Sequence, residues 1–280
     1  MAMSLKILVQ YLSPQHALSR VFGCLAEIRW PWFKNWAIKR LIRKYHVNLS
    51  EALVDDVTAY PTFNSFFTRL LKPELRPIVQ GVNEIACPAD GSVSQIGTID
   101  NDAIFQAKGF YFSLTTLLGN SSELAEQFRN GCFATVYLAP KDYHRVHMPL
   151  SGILRTTIYV PGDLFSVNTY TSQCVPNLFS RNERLICIFD TAIGSMAVIL
   201  VGAMLVGSIH AAWETKHNTR EISVQHYSEK VVLERGADMG HFKMGSTVIV
   251  LFSKDKMNWN PTLQEGSGVK MGQLMGHVVV

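Results

Sequence analysis

Apolar positions repeat with a helical period through the first quarter of the chain and with strand-like spacing through the rest. Ala37, Ile38, Leu41, Ile42 and Tyr45 recur at i, i+1, i+4, i+5 and i+8, one face of a helix, with Lys39, Arg40, Arg43 and Lys44 on the other. After Pro61, the residues Phe63, Phe66, Phe67, Leu70 and Leu71 follow i, i+3, i+4, i+7 and i+8, which predicts a second helix over 63–71. Pro73 and Pro77 end that pattern and mark a boundary near residue 75. Beyond it, short β-rich runs over 133–138, 153–160, 185–189, 196–201, 230–233 and 247–252 lie between Gly, Pro, Asn and Asp, and predict strands. One helical interlude is expected around 114–118 and 122–129. The fold class is therefore α+β. A helical, membrane-facing N-terminal region, 1–75, sits on a mainly antiparallel β domain, 76–280, of barrel or sandwich type.

Charge sharpens the first half of that picture. The net charge of the 280 residues is +4, but residues 1–50 carry eight Lys and Arg against Glu27 alone, so the remainder is acidic. The same segment holds Trp30, Trp32 and Trp36, three of the five tryptophans. Cations interleaved with indoles suit a membrane surface or a nucleic acid. The amphipathic spacing favours the membrane, with the apolar face among acyl chains and Lys39, Arg40, Arg43 and Lys44 near anionic headgroups. An ordinary surface helix packed on a core is the competing reading. Residues 191–213 carry no charged side chain, yet their unbroken apolar run, 196–206, is far short of the roughly 20 residues a span requires. Two buried strands are expected there. The first apolar stretch, broken by Gln10 and followed by Pro14, fits a signal peptide poorly.

Composition removes several classes. Apolar residues make up 48%, too many for a disordered chain. The five cysteines form no C-x-x-C pair, which speaks against a disulfide framework or a Cys-based zinc site and for a reducing compartment. The G-x-S-x-G, H-E-x-x-H, P-loop and dinucleotide fingerprints are absent.

Four polar segments carry what chemistry there is. Pro88-Ala89-Asp90-Gly91 reads as a turn, or as a turn presenting a carboxylate. The run from Tyr137 to Pro149 packs Lys141, Asp142, Tyr143, His144, Arg145 and His147 between prolines. Its histidines suit acid–base catalysis, structural hydrogen bonding or, with no third ligand at a recognisable spacing, metal binding least well. Gly162-Asp163-Leu164-Phe165-Ser166-Val167-Asn168 and Asn182-Glu183-Arg184 read as turns with a charge pair. Gly240-His241-Phe242-Lys243-Met244-Gly245-Ser246-Thr247 leads into an apolar strand. It is either a glycine bend or a bond at which the Ser246 hydroxyl attacks the unshielded Gly245 carbonyl.

Taken in order, these segments resemble the pyruvoyl-dependent phosphatidylserine decarboxylases of bacterial type. The likeness begins at Phe63-Asn64-Ser65-Phe66-Phe67-Thr68-Arg69. It continues through Ala89-Asp90-Gly91, Asp142 to His147, Gly162 to Asn168, Arg181 to Arg184 and Leu200 to Ala203, and ends at Gly245-Ser246-Thr247. Met244 departs from the Leu or Phe usual before Gly-Ser-Thr, a change of similar bulk.

The resemblance implies that His147, oriented by Asp90, acts as base on Ser246, so that the chain cleaves itself between Gly245 and Ser246. It implies large (1–245) and small (246–280) chains held as a heterodimer and paired further. It makes Ser246 the source of a covalent pyruvoyl group that forms a Schiff base with phosphatidylserine and releases CO2 to give phosphatidylethanolamine. His144 would handle the substrate carboxylate or the returning proton. No metal and no nucleic acid are implied. A lipid substrate places the enzyme peripherally on the cytoplasmic side of the cell membrane, at an anionic bilayer. Three rivals predict different outcomes: a pyruvoyl decarboxylase of soluble substrates, an uncleaved Ser/His/Asp hydrolase, and a non-catalytic membrane adaptor.

Overall fold

The structure, a computed structural model, describes residues 5–107, 109–204, 209–213, 220–243 and 246–279. Three helices open the chain: α1 (Leu5–Leu12), α2 (Gln15–Ala26) and α3 (Pro31–Tyr45), the last started by Pro31 in its first turn and ended by His46 in a left-handed conformation. A short helix, α4 (Phe63–Phe67), begins at a capping box in which Thr62 and Ser65 each accept the other's backbone N–H. The helix predicted over 63–71 is thus cut to its first half. Thr68 ends it, and Leu71 instead forms an antiparallel bridge with Ala52.

The remainder is built on one open antiparallel sheet of eight strands. In spatial order these are Ser223–Leu233, Gly152–Val160, Arg184–Thr191, Gly194–Val201, Ser246–Phe252, Cys132–Leu138, Gly91–Thr98 and Gly268–Val269. Its first and last strands do not meet, so the expected barrel is not closed. Both faces are covered, which explains why the central strands read as unbroken apolar runs rather than as alternation. Val248, Val250 and Phe252 enter one core and Ile249 and Leu251 the other. The first core is capped by two three-stranded antiparallel sheets. The second is capped by the helices Leu114–Leu117 and Ser122–Phe128 and the hairpin Ala103–Ala107 with Phe110–Ser113. Burying each such side chain contributes about 1.5–3 kcal/mol, so the middle of this sheet is its firmest part.

The N-terminal helices have a small core of their own, Ile38, Val47, Tyr60 and Phe66. Leu41, Ile42 and Tyr45 pack against it. Most of the apolar stripe of α3 therefore packs on the protein, as in the competing reading, with Ile38 fully buried and Ala37, Leu41, Ile42 and Tyr45 half-buried. Trp30, Trp32 and Trp36 are more than half exposed, however, Arg40 lies 5.8 Å over the Trp36 ring, and Lys39, Arg43 and Lys44 are exposed farther along the same helix. Among the described residues no helix is long and apolar enough to cross a membrane. The uncharged stretch 191–213 holds the buried strand Gly194–Val201 and the short strand Ile209–Ala211, while residues 205–208 lie outside the described residues.

The 162–168 and 181–184 motifs serve the scaffold. The Asn182 side chain, fully buried, ties Phe165 N–H, Phe165 O and Gly202 O together. Arg184, equally buried, donates to four carbonyls, those of Leu117, Ser180, Asn182 and Thr116. The loop so held receives α1 and α2: Gln10 and Gln15 accept from Ser166 N–H and Leu164 N–H.

Candidate active site

Two strands lead to and from the Gly245-Ser246 bond, and they belong to different sheets. Asp238–Phe242 pairs with Arg145–His147 and with Ile209–Ala211 in a three-stranded sheet. Ser246–Phe252 starts in the middle of the main sheet, with Ser246 opposite Leu138. Gly245 and the Ser246 side chain lie outside the described residues. Their flanks define the place: His241 is opposite Arg145, and Ser246 is opposite Leu138, so both sides of the bond are bracketed by the two ends of segment 138–145. Phe242 N–H donates to the His144 carbonyl at 3.1 Å, which stitches the incoming strand to that segment. Gly240 is required here, because a Cβ would stand 2.0 Å from the His210 carbonyl.

His147 is buried, and its Nδ1 meets the Gly236 carbonyl at 2.9 Å. A carbonyl only accepts, so Nδ1 carries the proton and Nε2 presents its lone pair, at present to the Tyr143 hydroxyl at 3.2 Å. Burial lowers its pKa, and nearby Arg145 adds to the effect. At neutral pH it is therefore an uncharged base. His144 is fully buried, stacked on Phe67 with ring centroids 4.0 Å apart, and neither ring nitrogen has a hydrogen-bond partner among the described residues. Burial, then the charge of Arg69, pushes its pKa down to about 3.

Asp90 sits elsewhere in the hydrogen-bond network than expected. Its carboxylate, 1% exposed, takes Arg76 Nε at 2.9 Å and Nη2 at 2.5 Å, the Met271 N–H at 2.9 Å and Lys270 Nζ at 3.4 Å. It makes no hydrogen bond to His147. The reason is saturation: the Arg76 fork and the Met271 amide occupy the carboxylate, while Gly236 already holds the far side of the imidazole. Orientation of His147 by Asp90 is thus replaced by orientation through Gly236.

Three contributors escape sequence reasoning. Arg76 stands between prolines with no periodic signal, and Gly236 acts through its backbone. Lys243 joins Glu27 of the α2 C-terminus at 3.2 Å, and Asn64 of α4 binds the same oxygen at 2.9 Å. The N-terminal helices therefore reach the residue two places before Gly245. The crowding of polar residues in 141–147 is the signal that could have found Tyr143.

The family model described as phosphatidylserine decarboxylase matches residues 63–277, and a second, described as PSD, matches 5–46. The chain belongs to the phosphatidylserine decarboxylase family. A phosphatidylserine decarboxylase proenzyme of Pseudomonas putida (strain W619) is 53% identical over 275 residues, covering 96% of each chain. The proenzyme of Ectopseudomonas mendocina (strain ymp) is 51% identical over 283 residues, covering 99% of each. The Thr247 hydroxyl and the His144 ring are buried with no hydrogen-bond partner among the described residues.

Proposed function

We propose that this chain is a self-processing phosphatidylserine decarboxylase that cleaves between Gly245 and Ser246 and converts phosphatidylserine to phosphatidylethanolamine at a membrane surface. One observation carries the cleavage step: the residues on either side of the bond are paired with the two ends of segment 138–145, which bears His144, and His147 follows two places later on the strand that pairs with Asp238–Phe242. His147, neutral and fixed by Gly236, takes the proton of the Ser246 hydroxyl as its oxygen attacks the Gly245 carbonyl. The amide becomes an ester. Elimination of that ester leaves a carboxylate on Gly245 and a dehydroalanine at 246, which water converts to a pyruvoyl group with loss of ammonia. Asp90 supports the site at one remove, by locking Arg76 and Met271.

A pyruvoyl group supplies a carbonyl that captures the substrate amine and draws off the electrons left when CO2 departs. The buried His144 ring, with no hydrogen-bond partner among the described residues, fits a polar carbonyl group formed at 246. Because burial denies His144 a standing charge, it serves the substrate carboxylate or the returning proton as a neutral hydrogen-bonding group, not as an ion-pair partner. Residues 246–280 remain bound after cleavage, since the strand Ser246–Phe252 is paired on both sides within the main sheet. The product is therefore a heterodimer of large and small chains. Intact-mass spectrometry of the purified protein under denaturing conditions should show two species dividing between 245 and 246, the smaller blocked by pyruvoyl. A single unmodified chain that stays whole after incubation with anionic vesicles would defeat the proposal.

Residues 1–75 form the membrane-association region in this reading, and the enzyme is peripheral to the cytoplasmic side of the cell membrane. Support comes from the exposed Trp30, Trp32 and Trp36, the neighbouring cations, and exposed Leu5, Val9 and Leu12 on α1. An apolar groove of about 300 Å³ between α2 and α3, lined by Phe22, Leu25, Phe33, Trp36 and Phe63, opens near the same face. Phe63 stacks on Phe67, which stacks on His144, so a stack of rings, buried at Phe67 and His144, links the groove to the site. Replacing all three tryptophans by alanine should weaken binding to anionic vesicles at least about tenfold and leave cleavage intact. Unchanged vesicle sedimentation would remove the tryptophans from the membrane contact.

A further inference from the structure

A cavity of about 580 Å³ shares a wall with the processing segment. Ala139, Lys141 and Tyr143 line it, and they lie between Leu138, opposite Ser246, and His144. Across from them stands Arg69, only 5% exposed. Its Nε and Nη1 have no hydrogen-bond partner among the described residues. Its one donated bond runs from Nη2 to the Lys141 carbonyl at 3.3 Å, and the guanidinium rests 5.1 Å over the Phe66 ring.

The other cations of the cavity are engaged differently. Arg76 is paired with Asp90 and Glu51, and Lys270 with Asp90. Among the described residues no ion pair is formed by Arg69 or by the exposed Lys141. Asp142, which also lines the cavity, accepts the Ala139 N–H, and burial favours its neutral form. A buried guanidinium whose Nε and Nη1 are unpaired and closed to solvent destabilises a fold until a small side-chain shift brings those donors to a ligand in the cavity. An oxyanion is the chemistry that satisfies them.

We propose that Arg69, assisted by Lys141, binds the phosphodiester of the phospholipid headgroup and so positions the substrate amine toward residue 246. The proposal rests on the decarboxylase reading. The substrate carries two anions, and the chemistry selects between them. A cation held on the carboxylate would stabilise the charge that must leave as CO2, strengthening the ground state more than the transition state. The phosphodiester keeps its charge throughout, so binding there is uniform and appears in KM rather than in kcat.

Arg69→Met tests this in three readouts. With a short-chain phosphatidylserine, KM should rise roughly 10- to 100-fold while kcat stays within about threefold. The inhibition constant of the matching phosphatidylethanolamine should rise in parallel, because the product retains the phosphodiester. The melting temperature should hold or rise, since an unsatisfied buried charge is removed. An unchanged KM would overturn the site, and a raised KM with an unchanged product constant would assign Arg69 to the carboxylate instead. Melting several degrees lower in both Arg69→Met and Arg69→Lys would make the residue structural. A fourth measurement needs no turnover: calorimetry of glycerophosphoethanolamine on the uncleaved Ser246→Ala chain, with binding expected there and lost when Arg69→Met is added. Binding that persists in the double variant would overturn the proposal. Binding through Arg69 by a wild-type chain that does not decarboxylate would instead sink the decarboxylase reading and leave the anion site standing.

Discussion

Ser246→Ala should leave a single chain of 31.4 kDa with decarboxylation reduced by at least about 10³-fold. The size of the effect follows from one hydroxyl serving two purposes. It is the nucleophile that breaks the chain, and its carbon skeleton becomes the reactive carbonyl. Alanine removes both while leaving the backbone pairing of residue 246 with Leu138 undisturbed, so the fold and its melting temperature should be kept. Ser246→Cys separates the two purposes. A thiol can still attack the Gly245 carbonyl, so slow cleavage is expected where alanine gives none. Two chains from the alanine variant, divided at 245, would show that the hydroxyl is not the nucleophile. An intact wild-type chain whose Ser246 reacts with a fluorophosphonate would transfer the site to hydrolase chemistry.

How much of this was legible in the sequence depended on the range of the interactions concerned. The strands Cys132–Leu138, Gly152–Val160, Gly194–Val201 and Ser246–Phe252 carry dense runs of apolar and β-branched residues, a local signal, and the spacing finds each within a few residues. The helix over 63–71 was overextended because Leu70 and Leu71 keep the period, yet the bridge from Leu71 to Ala52 is a long-range choice that no local pattern announces. The apolar stripe of α3 misled for the same reason. Periodicity shows that one face is buried, but not whether Tyr60 and Phe66 or an acyl chain does the burying. Closure of a barrel is likewise a property of the two edge strands, neither of which carries a marker for it.

At the site, local chemistry was the readable part. The histidines and the Gly-Ser bond stand in short motifs, and the strand that carries His147 pairs with the one that leads to Gly245. Partners were not readable. Asp90 faces Arg76, fourteen residues earlier, and Met271, far along the chain, while His147 is held by the backbone carbonyl of Gly236, whose side chain announces nothing.

His147→Ala should slow self-cleavage by about 10²–10⁴-fold, the usual contribution of a positioned base, with a smaller loss of stability of about 1–3 kcal/mol from the two hydrogen bonds removed. Asp90→Ala should act by a different route. It strips Arg76 of its main partner inside the protein, which costs about 3–5 kcal/mol, so cleavage and stability should fall together. Slow cleavage at full stability in Asp90→Asn would instead restore Asp90 as a direct partner of the base. The pH profile separates His147 from its neighbours. Burial lowers its folded-state pKa beneath the ordinary 6.5, so the neutral form persists to lower pH in the folded chain than in the unfolded one. The stability it contributes is complete above 6.5 and is lost as pH falls through the folded value. Cleavage should follow the same sense: level from neutral pH upward, declining only once the pH drops below 6.5 toward that lowered value. The residual cleavage of His147→Ala should show no such step. An identical acid limb in the alanine variant would place the base on another residue, and His241, pushed down to about 4 by burial and facing Arg145 across the strand pair, would be the one to replace next.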